Sequence, residues 1–150
     1  SQSISIFDCF SEYTKIQKIE GDYKCDKCKE VNTSFIENNI LSKSKTLILQ
    51  LLRFDMSTYP NIRKNNNIID YPLNLNIGDY VLSNQNYNYN LYGVVLHYGN
   101  LYGGHYNCFI KKNTECGQKW YLCDDETISE VSINTVLNHR NAYMLLYQVE

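Results

Sequence analysis

The sequence predicts an α+β fold that is mostly antiparallel β, and three observations predict it. Four short apolar runs have the length and aromatic or β-branched content of strands. They are LYGVVLHY (residues 91–98), HYNCFI (105–110), KWYLCD (119–124) and AYMLLYQV (142–149). Turn-forming stretches separate them, above all KKNTECGQ at 111–118, with Gly117. Helical patterning is confined to two short segments.

In chain order, ISIFDCFSEY has Ile4, Phe7 and Phe10 at three-residue steps, which suits a short helix. YKCDKCK (23–29) reads as a knuckle-like turn between polar flanks. TLILQLLRF (46–54) is too short for an ordinary helix and reads as a buried strand. DMSTYPNIRKNNNIID (55–70) is an Asn-rich loop with Pro60. Leu73, Leu75 and Ile77 then alternate, followed by Tyr80. SNQNYNYN (83–90) is a low-complexity patch that reads as a solvated loop tip. Near the end, Ser132 is placed to cap a short helix with Val136 and Leu137 turned inward. Residues 61–68 and 83–90 are expected to be mobile, because Asn-rich polar runs bury too little to offset their ordering entropy. Leu49, Leu51, Val94, Phe109 and Leu145 are the expected core.

The chain has 150 residues, a single-domain length with room for a sizeable core. Net charge is -2 and no Lys/Arg run stands out, which argues against nucleic acid as a partner. The longest apolar run, LILQLL, is far too short to span a bilayer, so no membrane role is expected. The opening SQSISIF carries no charged-then-apolar leader. The six cysteines are accordingly expected as reduced thiols of a cytoplasmic or nuclear protein.

Chemistry concentrates around NLYGGHYNCFI, residues 100–110. Two glycines, Gly103 and Gly104, run into His105 at the start of a strand. Glycines allow backbone to come close to a ligand, or they make a simple tight turn. A hairpin folded between residues 114 and 115 sets His105 opposite Asp124 and Phe109 opposite Trp120. Directly opposed side chains have Cβ atoms about 4.5–5.5 Å apart, within reach of an imidazole–carboxylate bond. That is the base-and-orienter half of a catalytic triad, or else a surface His beside a surface Asp. Asp125 falls on the opposite face in this register.

Taken together, LYGVVLHYGNLYGGHYNCFIK, KWYLCDDETISEV and NAYMLLYQ resemble the C-terminal part of a ubiquitin-specific protease catalytic domain. DYKCDKCK resembles the second zinc-binding CxxC pair of that family's fingers region, and TLILQLLRF the strand that follows it. The resemblance implies the palm and part of the fingers of a papain-like cysteine protease. Fingers residues would lie at about 1–45 and the palm at about 46–150, with the N-terminal thumb outside this sequence. It implies His105 as catalytic base and Asp124 as third triad member, with Asp125 able to share that role. It implies that Phe54, His97 and Tyr106, with Gly103 and Gly104, line the channel for ubiquitin's C-terminal tail. Residues 98–104 would form a loop that shuts over that tail.

The family's nucleophile is a cysteine in an Asn-x-x-Cys-like box at a helix N-terminus, and no box in that setting is read here. Cys9 has no Asn or Gly before it, Cys108 alternates away from His105, Cys116 sits in a turn, and Cys123 faces away from Asp124. The implied function is a deubiquitinating cysteine protease in which this chain supplies the base and the orienter. Two other readings stay open: a catalytically inactive ubiquitin-binding module and a zinc-knuckle interaction domain. Cys25 and Cys28 offer two of the four ligands that a structural zinc requires. A half zinc site, spare structural thiols and a redox pair are the alternatives for them. Ubiquitin or ubiquitinated proteins, and the missing N-terminal part of the domain, are the expected partners.

Overall fold

Backbone pairing builds one large sheet with small appendages, seen in a computed structural model that describes residues 4–19, 21, 23–42, 44–82 and 87–149. β1 (Ile4–Ser5) leads into α1 (Ile6–Thr14). Two small ladders follow, formed by β2 (Gln17–Lys18) with β5 (Phe35–Ile36), and by β3 (Tyr23–Lys24) with β4 (Val31–Asn32). The remaining strands are β6 (Thr46–Gln50), β7 (Ile69–Asp70), β8 (Asn74–Asn76), β9 (Asn88–Asn100), β10 (Gly103–Thr114), β11 (Gly117–Asp124), β12 (Thr127–Val131) and β13 (Ala142–Val149). A short helix, α2 (Ile133–Val136), precedes β13. The sheet order is β12-β11-β10-β9-β13-β6, with β8 also on β9, and every pairing in it is antiparallel. β7 pairs with β1 in parallel, outside that sheet.

One face of the sheet carries the core. Val94, Phe109 and Leu145 are register partners across β9, β10 and β13, and all three are buried. Ile6, Phe10, Tyr71, Leu75, Ile77 and Val136 join them in one apolar cluster. Of the five expected core residues, four are buried and Leu49 is half-buried. Leu49 lies on β6, which ends the strand order, so TLILQ is an edge strand rather than the fully buried one expected. On the other face of β6, Ile48 is 55% exposed. Pairing on only one side limits what an apolar strand can bury.

α1 starts in a capping box. The Asp8 amide donates to Ser5 Oγ at 3.1 Å, and the Ser5 amide donates to the Asp8 carboxylate at 2.7 Å. Its buried residues are Ile6 and Phe10, a four-residue step, whereas Ile4 belongs to β1 and Phe7 is 38% exposed. Ser132 does occupy the cap position of α2, but its hydroxyl meets the Thr135 hydroxyl at 3.1 Å rather than a backbone amide.

Two Asn-rich stretches depart from expectation. Residues 87–90 are not a solvated tip: Tyr87 and Tyr89 are buried, and residues 88–90 open β9. The repeated Asn-Tyr is a period-two strand with tyrosines inward and Asn88 outward. Residues 83–86 lie outside the described residues. The loop 61–68 is a loop, as read, but it is tethered. Arg53 donates to the carbonyls of Asn65 (3.4 Å) and Asn67 (2.5 Å), its own carbonyl accepts from the Asn65 amide at 2.6 Å, and Lys64 Nζ donates to the His97 carbonyl.

Candidate active site

The β10–β11 hairpin sets the site. Thr114 pairs with Gly117, so the turn is Glu115–Cys116. Gly117 adopts φ +101°, a left-handed conformation that lets so short a loop close. Phe109 therefore faces Leu122, and Lys111 faces Trp120. The register differs by two residues from a fold between 114 and 115, and the Phe109–Trp120 pairing is corrected accordingly. A two-residue shift keeps every side chain on its face, since the period is two. His105 and Asp124 still share a face and meet diagonally.

His105 Nε2 lies 2.5 Å from Asp124 Oδ1. Asn107, one alternation further along β10, donates from Nδ2 to the other carboxylate oxygen at 3.2 Å. Hydrogen bonding to Asp124 raises the His105 pKa, with the charges of Asp124 and Asp125 adding to it. Asp124 is lowered in turn, first by the His105 bond and then by Asn107. With the Nε2 proton given to the carboxylate, the lone pair of the neutral ring sits on Nδ1. Nδ1 is then the nitrogen able to accept a proton.

Asp125 departs from its expected face. It leaves the strand at φ +49°, in the two-residue turn to β12, where Asp124 pairs with Thr127. Asp is among the residues that tolerate this conformation. Ligand atoms of His105, Asp124 and Asp125 consequently lie within 4.8 Å of one another. All three predicted triad residues are thus together, and Asn107 is the neighbour that sequence reading missed. Its signal was available: it stands two residues after His105 in a strand, hence on the same face.

Phe54, His97 and Tyr106 also come together. Tyr106 and His97 are register partners with ring centroids 4.6 Å apart, and Phe54 meets His97 edge-on at 5.9 Å. Tyr143, unremarked in the sequence, completes the group at 5.6 Å from His97. His97 is buried with Nδ1 unpartnered, and its pKa is lowered by burial and by the charge of Lys64. By strand alternation this aromatic group occupies the face opposite His105.

Residues 98–104 form a paired hairpin turning at Leu101–Tyr102, not an open loop: Gly104 pairs with Gly99, and His105 with Tyr98. A Cβ at Gly104 would stand 2.1 Å from the Tyr98 carbonyl oxygen and 2.6 Å from His97 Nε2, whereas one at Gly103 would meet open space. Gly104 therefore serves the fold's own close approach, and Gly103 is the glycine left free to face a ligand.

The cysteines are all free thiols. Cys108 and Cys123 are cross-strand partners on the face away from His105. Cys116 is in the exposed turn, and burial raises the Cys9 pKa. Cys25 and Cys28 flank a tight turn in which the Lys29 amide donates to the Cys25 carbonyl at 2.8 Å. The backbone amides of Cys28 and Lys27 donate to the Cys25 sulfur and lower its pKa. That turn suits a metal-binding thiolate. Among the described residues, no metal-holding cluster of three or more His, Cys, Asp or Glu includes the pair.

The model of the ubiquitin carboxyl-terminal hydrolase family matches residues 10–147. The chain is 31% identical over 166 residues to ubiquitin carboxyl-terminal hydrolase 5 of Saccharomyces cerevisiae, covering 98% of this chain and 20% of that protein. It is 33% identical over 151 residues to ubiquitin carboxyl-terminal hydrolase 15 of Bos taurus, covering 97% and 15%. Its fold matches the yeast SAGA deubiquitinase module with a mutant Sgf73, with TM-score 0.84, 27% identity, and coverage of 98% of this chain and 33% of that one. It also matches the SAGA Ubp8/Sgf11/Sus1/Sgf73 module bound to ubiquitin aldehyde, with TM-score 0.81, 27% identity, and coverage of 98% and 34%. The antiparallel architecture is thus that of a papain-like cysteine protease domain. Within that class, the chain belongs to the ubiquitin carboxyl-terminal hydrolase family. It spans about a fifth or less of the length of these curated relatives and about a third of the solved chains.

Proposed function

We propose that the chain is the C-terminal portion of a deubiquitinating cysteine protease domain, fingers at about 1–45 and palm at about 46–150. It would hydrolyse the peptide or isopeptide bond after ubiquitin's C-terminal Gly-Gly. One observation carries the reading: His105 is held through Nε2 by Asp124 at 2.5 Å, which leaves Nδ1 as the base. The nucleophilic thiol comes from an N-terminal thumb outside this sequence. Its sulfur bonds to the carbonyl carbon while the thiol proton passes to His105 Nδ1. The imidazolium then protonates the lysine amine as the C–N bond breaks, and water hydrolyses the thioester with His105 again the base. Asp124 fixes the ring and offsets its positive charge, with Asp125 close enough to share that work.

Phe54, His97 and Tyr106 would guide the ubiquitin tail toward Gly103 and Gly104. Cys25 and Cys28 would supply two thiolates to a structural zinc completed by ligands outside the described residues, and that metal would brace the fingers. Ubiquitin conjugates in the cytoplasm or nucleus are the proposed substrates.

The test is cleavage of a fluorogenic ubiquitin C-terminal amide by the full-length protein that carries this chain, with His105→Ala as the control. Turnover that disappears in His105→Ala supports the reading. Ubiquitin binding without turnover in the wild type would favour an inactive ubiquitin-binding module. Zinc held stoichiometrically without ubiquitin binding would favour a zinc-knuckle interaction domain.

A further inference from the structure

The geometry points to Asn107 as a positioning residue: its amide holds the Asp124 carboxylate so that Oδ1 is presented to His105 while Asp125 is kept in reserve. The inference deepens the catalytic reading above and rests on it.

A carboxylate on an exposed strand end has little to fix its plane. The Asp124 side chain is 39% exposed, and rotation about its terminal bond is soft. Two donors remove that freedom. His105 Nε2 sits at Oδ1, 2.5 Å away, and Asn107 Nδ2 at Oδ2, 3.2 Å away. Extending the β10–β11 ladder one step beyond Cys108–Cys123 sets Asn107 directly opposite Asp124, so the strand pairing itself aims the amide.

The amide orientation follows from charge. Turned over, Asn107 would bring its carbonyl oxygen against a carboxylate. As placed, Nδ2 meets the anion and Oδ1 is buried without a partner. Burying an unpartnered carbonyl is unfavourable. A strand position between Leu96 and Asp124 would be better served, for stability alone, by a β-branched side chain. The donor end is therefore what the site uses. The Asn107 bond also helps to keep Asp124 ionised.

Without that bond the Asp124 carboxylate can turn, and Asp125, already within 4.8 Å, competes for the imidazole. Asn107 thereby decides which of two adjacent acids serves His105.

The experiment compares wild type, Asn107→Val and Asn107→Thr in the full-length protein. Val and Thr have nearly the same shape, and Thr alone restores a donor. Kinetics use the fluorogenic ubiquitin amide, and carbon-13 NMR follows titration of the Asp124 carboxyl without substrate. Asn107→Val should lower kcat about tenfold with KM within about twofold, the loss of one charge-assisted hydrogen bond. Its Asp124 titration should move to higher pH, and its melting temperature should hold or rise. Asn107→Thr should recover most of both kcat and titration. In the Val background, Asp125→Asn should cost more than it does in wild type.

An Asp124 titration unmoved in folded Asn107→Val overturns the inference, as does a change confined to KM. If wild type hydrolyses nothing yet the titration moves as described, the positioning role stands and the deubiquitinase reading falls. If wild type is active and Asn107→Val leaves both readouts unchanged, the reading stands and the inference falls.

Discussion

Arg53 closes its guanidinium on the carbonyl of Ala142, with Nε at 3.0 Å and Nη2 at 2.9 Å. The side chain is buried, and burial lowers its pKa. Its remaining bonds run to the carbonyls of Asn65 and Asn67, so one residue joins the end of the β6 segment, the Asn-rich loop and the start of β13. Removing it would strand the carbonyl of buried Ala142 and release the loop carbonyls of Asn65 and Asn67. Arg53→Ala should destabilise the protein by about 3–5 kcal/mol, and Arg53→Lys, which cannot reproduce the fork, by about 2 kcal/mol. Chemical denaturation of the three proteins checks this, and an unchanged midpoint for Arg53→Lys would refute the fork argument.

Gly103 and Gly104 should behave differently although they are adjacent. A Cβ at 104 meets the Tyr98 carbonyl oxygen at 2.1 Å, and one at 103 meets nothing within 4 Å. Gly104→Ala should cost about 1–3 kcal/mol through forced displacement of the β9–β10 hairpin. Gly103→Ala should fold like wild type and show its effect in affinity for the ubiquitin tail. Melting curves beside ubiquitin-aldehyde binding separate the two, and equal stability of both variants would contradict the asymmetry.

The His105–Asp124 pair has a defined pH window. His105 is raised, so its contribution to folding is fully present below the ordinary histidine range and is lost as pH climbs through the raised value. Asp124 is lowered, so its share is present above the ordinary carboxylate range and is lost as pH falls through the lowered value. Between those limits the pair is intact. Histidine NMR should show Asp124→Asn moving the His105 midpoint down, with Asp125→Asn moving it less. A midpoint indifferent to Asp124→Asn would rule out the pairing.

Offered ubiquitin with a C-terminal electrophile, the 150-residue chain alone should form no specific adduct. Cys108 and Cys123 lie across the sheet from His105, and Cys116 sits at the far turn of the hairpin. A base activates only a thiol within its reach. Intact mass measurement decides the point, since a stoichiometric adduct on any cysteine would show that this chain carries its own nucleophile.

Much of this was legible because strands advertise themselves by period. Val94, Phe109 and Leu145 announced their burial through apolar runs, and His105 and Asp124 shared a face under either register because two residues is one full pleat. The turn was harder. Choosing Glu115–Cys116 over its neighbours depends on Gly117 taking a left-handed φ, which composition alone does not assign. Asp125 was misplaced for the same kind of reason, since strand alternation stops where φ turns positive. Asn-rich runs misled by composition: the repeated Asn-Tyr resembles low complexity, yet Tyr87 and Tyr89 are buried at period two. Arg53 was overlooked because its partners are carbonyls fixed only by the tertiary fold, and Asn107 because strand alternation puts it on the His105 face without naming its partner.

His105 and Asp124 sit 19 residues apart on a single hairpin whose loop is two residues long. Their contact order is therefore low, and hairpins close in microseconds, well before distant strands find one another. β6 must still reach β13 and β1 must reach β7, both long closures. The His105–Asp124 pair thus belongs to a part of the chain built from local contacts. The pair is encoded within consecutive residues 103–124, so a single stretch of sequence carries both partners while β9 and β12 hold that stretch in the sheet.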